Sequence, residues 1–345
     1  MKNLIISVIA LLMPVALYGQ ADTLWTANVL GGAYRSEEVK TSSDSLLATI
    51  SSASSYLSKD SRFILKQYTP GSVVTSSFGG ASSEQSRVLW DGIDISSMAS
   101  GVFDLSLVPA SMLNNTALYE GINGGALAPM GSVGALNVAA EIPKGRGTST
   151  LFSASSIGDR GLFAQSWGNI GTVRYQSSLR STGGTNSYPY TLGSLNGVLE
   201  GNGYNDLTYL QSFQGKLSRW NWESTLWYTQ SEKDNSGSIL TPGYINHLED
   251  DMLRFKYAIR NRTNQWQVYL GREWQAYTDT NSPWTITDTN TYTQATVQYS
   301  RRNERQELFI TSNYFRADGT NRSATVFLPH VLYHLSLTKN DLLVI

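Results

Sequence analysis

Apolar and polar side chains alternate along the second half of the chain with a period of two residues. In the clearest segment, Leu253, Phe255 and Tyr257 alternate with Arg254 and Lys256. Successive side chains of a β-strand point to opposite faces, so the pattern predicts strands with one apolar and one wet, polar face. Ten such strands are predicted near 149–157, 161–168, 172–181, 207–217, 220–231, 251–261, 264–275, 291–300, 306–315 and 324–337.

The links between these predicted strands alternate in length. Short links lie at 169–171, 218–219, 261–264 and 301–305, and long links lie at 182–206, 232–250 and 276–290. An antiparallel order therefore places every long link on the same side of the sheet. A sandwich half exposed to water also alternates in polarity. Short turns on one side, long loops on the other, and Trp and Tyr at strand ends are typical of an outer-membrane β-barrel.

The first part of the chain has a different pattern, rich in Ser, Gly and Ala. A short helix is predicted at 44–53, and short strands are predicted at 63–68, 73–77, 87–90, 93–96 and 116–119. Asp91-Gly92 stands between two apolar runs, which is a strong signal for a hairpin turn. These elements predict a small mixed domain ahead of the alternating strands.

The N-terminus predicts export. Lys2 precedes the apolar run LIISVIALLMPVAL at 4–17, and small or polar residues follow it, as in a cleaved secretory signal peptide over residues 1–20. No later apolar stretch suits a transmembrane helix, so a place in a membrane requires β-strands. The net charge of −1 gives no reason to expect nucleic acid as a partner, and the absence of cysteine excludes disulfides and thiolate chemistry.

Four motifs follow one another between residues 68 and 137. They are Tyr68-Thr-Pro-Gly71 with Val74-Thr-Ser-Ser-Phe-Gly79, then Val88-Leu-Trp-Asp-Gly-Ile93, then Asp104-Leu-Ser-Leu-Val-Pro109, and finally Leu118-Tyr-Glu-Gly121 with Gly131-Ser-Val-Gly-Ala-Leu-Asn137. In this order and spacing they resemble the plug domain of the TonB-dependent outer-membrane receptors. The positions that carry the resemblance are Gly71, Phe78, Trp90, Asp91, Gly92, Asp104, Pro109, Glu120, Gly121, Gly131 and Gly134.

The resemblance implies a mixed α/β plug domain followed by antiparallel transmembrane β-barrel strands. It assigns 1–20 to a signal peptide, 21–145 to the plug and 146–345 to a partial outer-membrane barrel. About ten strands make an incomplete 22-stranded barrel, and a barrel of ten has no room for a plug. We therefore expect a truncated or N-terminal portion of a receptor. Gly79-Gly80 stands where the family usually has Arg-Gly, and Ala128-Pro-Met130 replaces its usual Ala-x-Tyr.

The resemblance also implies partners. Asp22, Thr23, Leu24, Trp25 and Thr26 resemble a TonB box, the extended segment that adds as a strand to a periplasmic energy-coupling protein of the TonB type. A disordered leader without function is the alternative for this segment. The barrel would contact outer-membrane lipid of a Gram-negative bacterium. The solute would be a scarce, bulky molecule, cobalamin or an iron–siderophore, taken as a ligand with no built-in cofactor.

The ligand residues are unknown from the sequence. Aromatic residues in the long links, Tyr188, Tyr190, Tyr244 and Trp284, are candidates, and interfacial girdle residues are the competing interpretation. His330 and His334 form an HxxxH, but in a strand they lie about 13 Å apart, too far for one zinc ion. Asp91 is expected to serve the turn rather than acid–base catalysis with Asp94.

No arrangement of Ser, His and Asp or of Cys and His suggests an enzyme, and no metal site is expected. The alternative to a transporter is an exported, β-rich ligand-binding or adhesion protein without transport activity. An exported hydrolase has no supporting residues.

Overall fold

The computed structural model describes two large β-sheets that pack against each other and two separate two-stranded hairpins. The described residues are 36–39, 57, 64–67, 69–77, 82–97, 100–112, 115–120, 134–236, 245–279, 286–303, 306–320, 322–336 and 342–344. The predicted signal peptide, the predicted helix at 44–53 and the TonB-box candidate lie outside them. Within these ranges there is no helix with the length and apolar character needed to cross a membrane.

The described residues from 36 to 142, called here the N-terminal unit, form a five-stranded sheet and a small hairpin. The strands are β1 (Ser36–Val39), β2 (Ile64–Lys66), β3 (Thr75–Ser77), β4 (Ser86–Trp90), β5 (Ile93–Asp94), β6 (Asn115–Glu120) and β7 (Gly134–Ala139). The sheet order is β1-β6-β7-β4-β5, and β2 pairs with β3. The β4–β7 pair is parallel and the other pairs are antiparallel, so the sheet is mixed.

All five strands predicted for this region are present, with ends shifted by a few residues. The sequence did not predict β1 or β7. Strand β7 is rich in Gly and Ala, which are poor strand formers, and it is held by neighbours on both sides rather than by propensity. Three 3₁₀ turns, at Ser83–Gln85, Leu105–Leu107 and Ala110–Met112, complete the unit, and Leu57 is the one described residue in an α-helix.

The second sheet has eleven strands in antiparallel order. They are β8 (Gly147–Ala154), β9 (Arg160–Ile170), β10 (Val173–Gly184), β13 (Tyr204–Leu217), β14 (Trp220–Ser236), β15 (Ile245–Arg260), β16 (Asn264–Asp279), β17 (Ile286–Arg302), β18 (Gln306–Gly319), β19 (Ser323–Ser336) and β20 (Leu342–Val344). The ten predicted strands are confirmed, and β20 is an addition. This sheet is called the wall below.

The long links predicted from the sequence are shorter in the structure. The link at 182–206 contains a separate hairpin, β11 (Tyr188–Leu192) with β12 (Leu195–Leu199). The link at 232–250 is mostly strand, because β14 and β15 stay paired up to Ser236 and Ile245. Polar residues interrupt the alternation here, but backbone pairing does not need it. The longer links still lie together on one side, the loop side, and the short turns lie on the other, the turn side.

The two faces of the wall are the reverse of those in a soluble sheet. Its inner face, packed against the N-terminal unit, buries polar residues such as Gln176, Thr229 and Lys256. Its outer face exposes apolar residues, with Leu253 and Val297 each 48% accessible. The polar face that the alternation predicted to be wet is therefore covered across much of the wall, and the apolar face is the open one.

Candidate functional site: the interface between the N-terminal unit and the wall

The β4–β5 hairpin is the part of the N-terminal unit that the predicted motif contributes to the interface. Asp91 and Gly92 both have positive φ angles, 49° and 83°, as a two-residue type I′ turn requires. The predicted hairpin is confirmed. The backbone amide of Gly92 donates to Asn137 Oδ1 at 2.8 Å and that of Asp91 donates to the Val138 carbonyl at 3.1 Å, so neighbouring β7 fixes the turn.

The carboxylate of Asp91 forms an ion pair with the wall. Lys256 projects from β15 and contacts Asp91, and its Nζ lies 2.9 Å from Glu223 Oε1 on β14. The Lys256 side chain is 2% exposed, and its ammonium also stands 5.1 Å from the Trp90 ring centroid. One buried cation thus joins the hairpin tip to two wall strands. Asp91 serves the turn, as expected, and also bears a charge that the wall neutralises.

Aromatic packing extends the contact next to the ion pair. The Trp90 ring meets Trp227 edge-on at 5.6 Å and Tyr269 edge-on at 6.1 Å, centroid to centroid. Trp227, the apolar residue on the otherwise polar face of its strand, is thereby explained, because it points inward onto the unit. Together with Leu210, Trp227 and Tyr269 are the wall residues that belong to the core of the unit.

Arg254 of β15 lies between two aromatic rings, one from the N-terminal unit and one from the wall. Its guanidinium carbon is 5.1 Å from the ring centroids of both Phe103 and Trp227. Its Nη2 is 3.8 Å from Glu273 Oε2, and Glu273 Oε1 accepts a hydrogen bond from Ser97 at 2.7 Å. This second buried cation links the 97–103 segment to β14, β15 and β16.

Asp104 is the centre of a third contact, nearer the loop side. Its Oδ1 accepts from the backbone amides of Val74 and Ser106, each at 2.9 Å, which fixes two segments of the unit relative to each other. Its Oδ2 forms an ion pair with Lys233 of β14, whose Nζ also donates to Ser106 Oγ at 2.8 Å. Arg180 of β10 donates to the Ser106 carbonyl at 2.7 Å.

The Pro70-Gly71 turn is the outermost described contact on the loop side. Gly71 has a φ of 74°, and a Cβ there would collide with the ring of Tyr204 at the start of β13. The buried amide of Asn186 donates to the carbonyls of Pro70 and of Asn202, the second at 3.0 Å. A glycine is therefore required at 71 both for its backbone angle and for space.

The interface is looser toward β17, β18 and β19. A cavity of about 220 Å³ separates the hairpin and the 94–101 segment from the inner face of these strands. Residues of the unit, including Arg87, Asp94 and Ser96, line one side of it. The wall lines the other side of the cavity, and Gln294 of β17 donates to the Asp94 carbonyl of the unit at 3.1 Å.

The structure gathers most of the described motif residues at this interface. Gly71, Trp90, Asp91, Gly92 and Asp104 contact or closely approach the wall, Pro109 is buried in the unit, and Glu120 pairs with Gly134 between β6 and β7. Phe78, Gly121 and Gly131, and the ligand candidates Tyr244 and Trp284, lie outside the described residues. Tyr188 and Tyr190 stand in the β11–β12 hairpin on the loop side.

Sequence reasoning did not find the wall cations Lys233, Arg254 and Lys256. A signal was present for Arg254 and Lys256, which occupy polar-face positions of an alternating strand, whereas Lys233 lies in the predicted link at 232–250, where the alternation is lost. In the part of the chain that the structure describes, no group of His, Asp and Glu is placed to hold a metal ion. His330 lines the cavity. The interface is therefore an arrangement of paired charges and packed rings that holds two sheets together.

Comparison with known proteins gives matches only among solved structures. No protein-family model matches the chain, and no curated protein matches it. It is similar to the copper transporter OprC, with 13% identity and a TM-score of 0.60 over 85% of this chain and 50% of that one.

Two receptors give similar results. A mutant of the ferric enterobactin receptor PfeA from Pseudomonas aeruginosa has 12% identity and a TM-score of 0.58 over 85% of this chain and 54% of that one. The siderophore receptor PiuA from Acinetobacter baumannii has 10% identity and a TM-score of 0.53 over 84% and 53%.

These neighbours are TonB-dependent receptors. The chain has their fold, which confirms at the level of the fold the resemblance seen in the motifs. It spans about half the length of the structures it matches, 50% to 54% of each. None of the three descriptions names an enzyme.

Proposed function

We propose that this chain is part of a TonB-dependent outer-membrane receptor that actively takes up a scarce, bulky solute. The observation that carries the proposal is the reversed polarity of the wall around an ion-paired inner unit. Exposed apolar side chains and buried polar ones suit a sheet with lipid outside and a filled lumen inside. The N-terminal unit, within the predicted domain 21–145, is then the plug, and 146–345 is the partial barrel.

Charge distribution supports a plug that stays in place until work is done on it. The unit supplies the carboxylates Asp91 and Asp104, and the wall supplies Lys256 and Lys233. A buried ion pair is costly to break, because separation leaves uncompensated charges at low dielectric. Asp22–Thr26 would provide the attachment for a TonB-type periplasmic partner, which adds it as a strand and pulls. This role, a cleaved signal peptide at 1–20 and residence in the outer membrane of a Gram-negative bacterium belong to the same proposal.

The solute of the proposal is cobalamin or an iron–siderophore. The version of the hairpin motif at Val88-Leu-Trp-Asp-Gly-Ile93 favours cobalamin through its family resemblance. The names of the structural neighbours, a copper transporter and siderophore receptors, favour a metal chelate. Capture of the solute would fall to the loop side, where Tyr188, Tyr190, Tyr244 and Trp284 remain the candidates.

Uptake assays test the proposal directly. The full gene product is expressed in a Gram-negative host that lacks its own cobalamin and siderophore receptors. Radiolabelled cyanocobalamin and radiolabelled ferric enterobactin are supplied separately, with and without a functional TonB. We expect TonB-dependent accumulation of one probe and its loss when residues 22–26 are deleted. Accumulation that persists without TonB contradicts the energy-coupling part.

Fractionation distinguishes the alternative of an exported binding or adhesion protein. We expect the protein in the outer membrane and soluble only in detergent, because the outer face of the wall exposes apolar side chains. A detergent-independent monomer with a cooperative melt would support the alternative and refute a membrane receptor.

A further inference from the structure

The N-terminal unit is attached to the two halves of the wall in different ways. On the half formed by β10 and β13–β16, contacts extend from the turn side to the loop side. At the turn side Arg174 donates to the Ile142 carbonyl, and near the loop side Lys233 reaches Asp104. Between them lie the Lys256 and Arg254 contacts and the shared aromatic core.

The half formed by β17–β19 makes fewer contacts with the unit. Gln294 of β17 donates to the Asp94 carbonyl at 3.1 Å. Among the β18 and β19 residues whose side chains the structure describes, 308–319 and 323–331, none forms a hydrogen bond or ion pair with the unit. The cavity of about 220 Å³ lies here, bounded by Thr311 and Asn313 of β18 and by Ser96 of the unit.

The cavity walls combine polar groups, most of them uncharged, with apolar surface. Among the described lining residues, the arginine Arg87 faces Asp94 at 3.8 Å and donates to the Gly101 carbonyl at 3.2 Å, so its charge is already compensated. Amides and hydroxyls of Gln298, Thr311 and Asn313 supply hydrogen-bonding groups on the wall, and Phe309 and Phe315 supply apolar surface.

From this asymmetry we propose that the solute crosses between the N-terminal unit and the β17–β19 wall, through this cavity, while the unit stays bound to β10 and β13–β16. The proposal rests on the transport function proposed above and adds where the path opens. The unit separates first on the side where the described side chains hold it by one hydrogen bond, since the other side requires several buried charges to be unpaired at once. Complete removal of the unit is not needed.

The absence of cysteine from the chain allows a direct test with disulfide tethers. Ser111 and Ser178 are both buried, and their Oγ atoms lie 3.3 Å apart between the unit and β10. The double variant Ser111→Cys with Ser178→Cys, oxidised in the full protein, fixes the unit to the firmly held side. We expect uptake of the transported probe, cyanocobalamin or ferric enterobactin, to be retained. Loss of uptake on oxidation and its return on reduction would overturn the proposal.

A tether across the cavity is the matched control. Ser96→Cys with Asn313→Cys, joined by a short bifunctional maleimide, holds the unit against β18. We expect this tether to abolish uptake, while the same two cysteines capped singly with N-ethylmaleimide and left unjoined report the effect of bulk alone. Uptake that survives the joined form would also contradict a path at this place.

Thiol labelling decides the question without any known solute. Single variants Ser96→Cys and Ser178→Cys are labelled by a charged maleimide in cells with and without TonB. We expect TonB to increase the labelling rate at residue 96 and to leave residue 178 unchanged. An equal increase at both sites, or no increase at residue 96, would refute the proposal. If the parent protein takes up neither probe, the transport function itself fails, and labelling still shows which side opens.

Discussion

Side chains alternate between two faces in both the N-terminal unit and the wall, but the apolar face is buried in the unit and exposed in the wall. In the β4 strand of the unit, Val88 and Trp90 point into an apolar core, as in any soluble domain. In the wall, the apolar side chains of β15 point out, and Arg254 and Lys256 point in. Alternation alone therefore shows that a sheet has two faces. Which face is buried depends on what covers it, and here the covering element is the unit itself.

The largest effect is expected where the two sheets share a core. Trp90→Ala removes the ring that packs on Trp227 and Tyr269, and we expect a loss of about 3–5 kcal/mol of unfolding free energy. Denaturant unfolding in detergent, followed by the remaining tryptophan fluorescence, measures it. Trp266→Ala, on the outer face and 46% exposed, is the control with a smaller expected loss. Equal losses would mean that the two faces are not energetically different.

The buried cation of the interface is expected to matter almost as much. Lys256→Met removes the buried cation from between Asp91 and Glu223, and we expect a loss of about 3–5 kcal/mol. Adding Asp91→Asn and Glu223→Gln should restore most of it, because all three charged groups of this contact are then neutral and Asn tolerates the positive φ at 91. Denaturation midpoints of the single and triple variants provide the measurement.

An ion pair on the surface gives the contrast for Lys256. Arg316 is 54% exposed and pairs with Asp318 at 2.8 Å. We expect Arg316→Met to change stability by about 1 kcal/mol or less, since exposed pairs are screened by water and salt. An effect at residue 316 as large as that at residue 256 would contradict the importance of burial.

A charge placed on the outer face tests whether lipid covers it. Leu253→Arg puts a guanidinium at mid-height on β15, and in a bilayer we expect a cost of about 2–4 kcal/mol. Leu217→Arg, at the turn-side end of β13, should cost about 1 kcal/mol or less because it lies near the interface. Folding free energies in lipid vesicles give both values. No cost at residue 253 would mean that its face is wet.

Two glycines with similar backbone angles provide a further comparison. Gly145 has a φ of 81° and open space where a Cβ would stand, so Gly145→Ala should cost about 1 kcal/mol from strain alone. Gly71→Ala adds a collision with the Tyr204 ring to the same strain. We expect the melting temperature to fall further for Gly71→Ala. The difference between the two variants measures the contribution of the contact between the unit and the wall.

The parts of this fold that the sequence predicts are those specified by local pattern. The ten wall strands are visible because alternation persists for about ten residues, and Asp91-Gly92 specifies its own turn. The loop-side strand ends were missed because segments such as 232–236 are entirely polar and pair only through the backbone. Strand β7 was missed because it depends on long-range parallel pairing with β4, and its Gly and Ala residues do not predict a strand.

The interface was partly within reach of the sequence. Trp227 violated its strand's pattern, and it proved to be the residue that contacts Trp90. The pairing of Asp91 with Lys256 joins residues far apart in the sequence, and no spacing rule connects them. Only the three-dimensional arrangement shows that acidic groups of the unit face basic groups of the wall.

The order of strands in the N-terminal unit has a mechanical consequence. Strand β1 is at one edge of the sheet, joined to β6 by four residue pairs, whereas β4 and β5 are at the opposite edge, next to the wall. A tensile load applied to the residues before Ser36 reaches the β1–β6 seam first. The β1–β6 pairing is four residue pairs long and the β6–β7 pairing is six, so we expect β1 to detach first and β4 and β5 to stay attached to the wall.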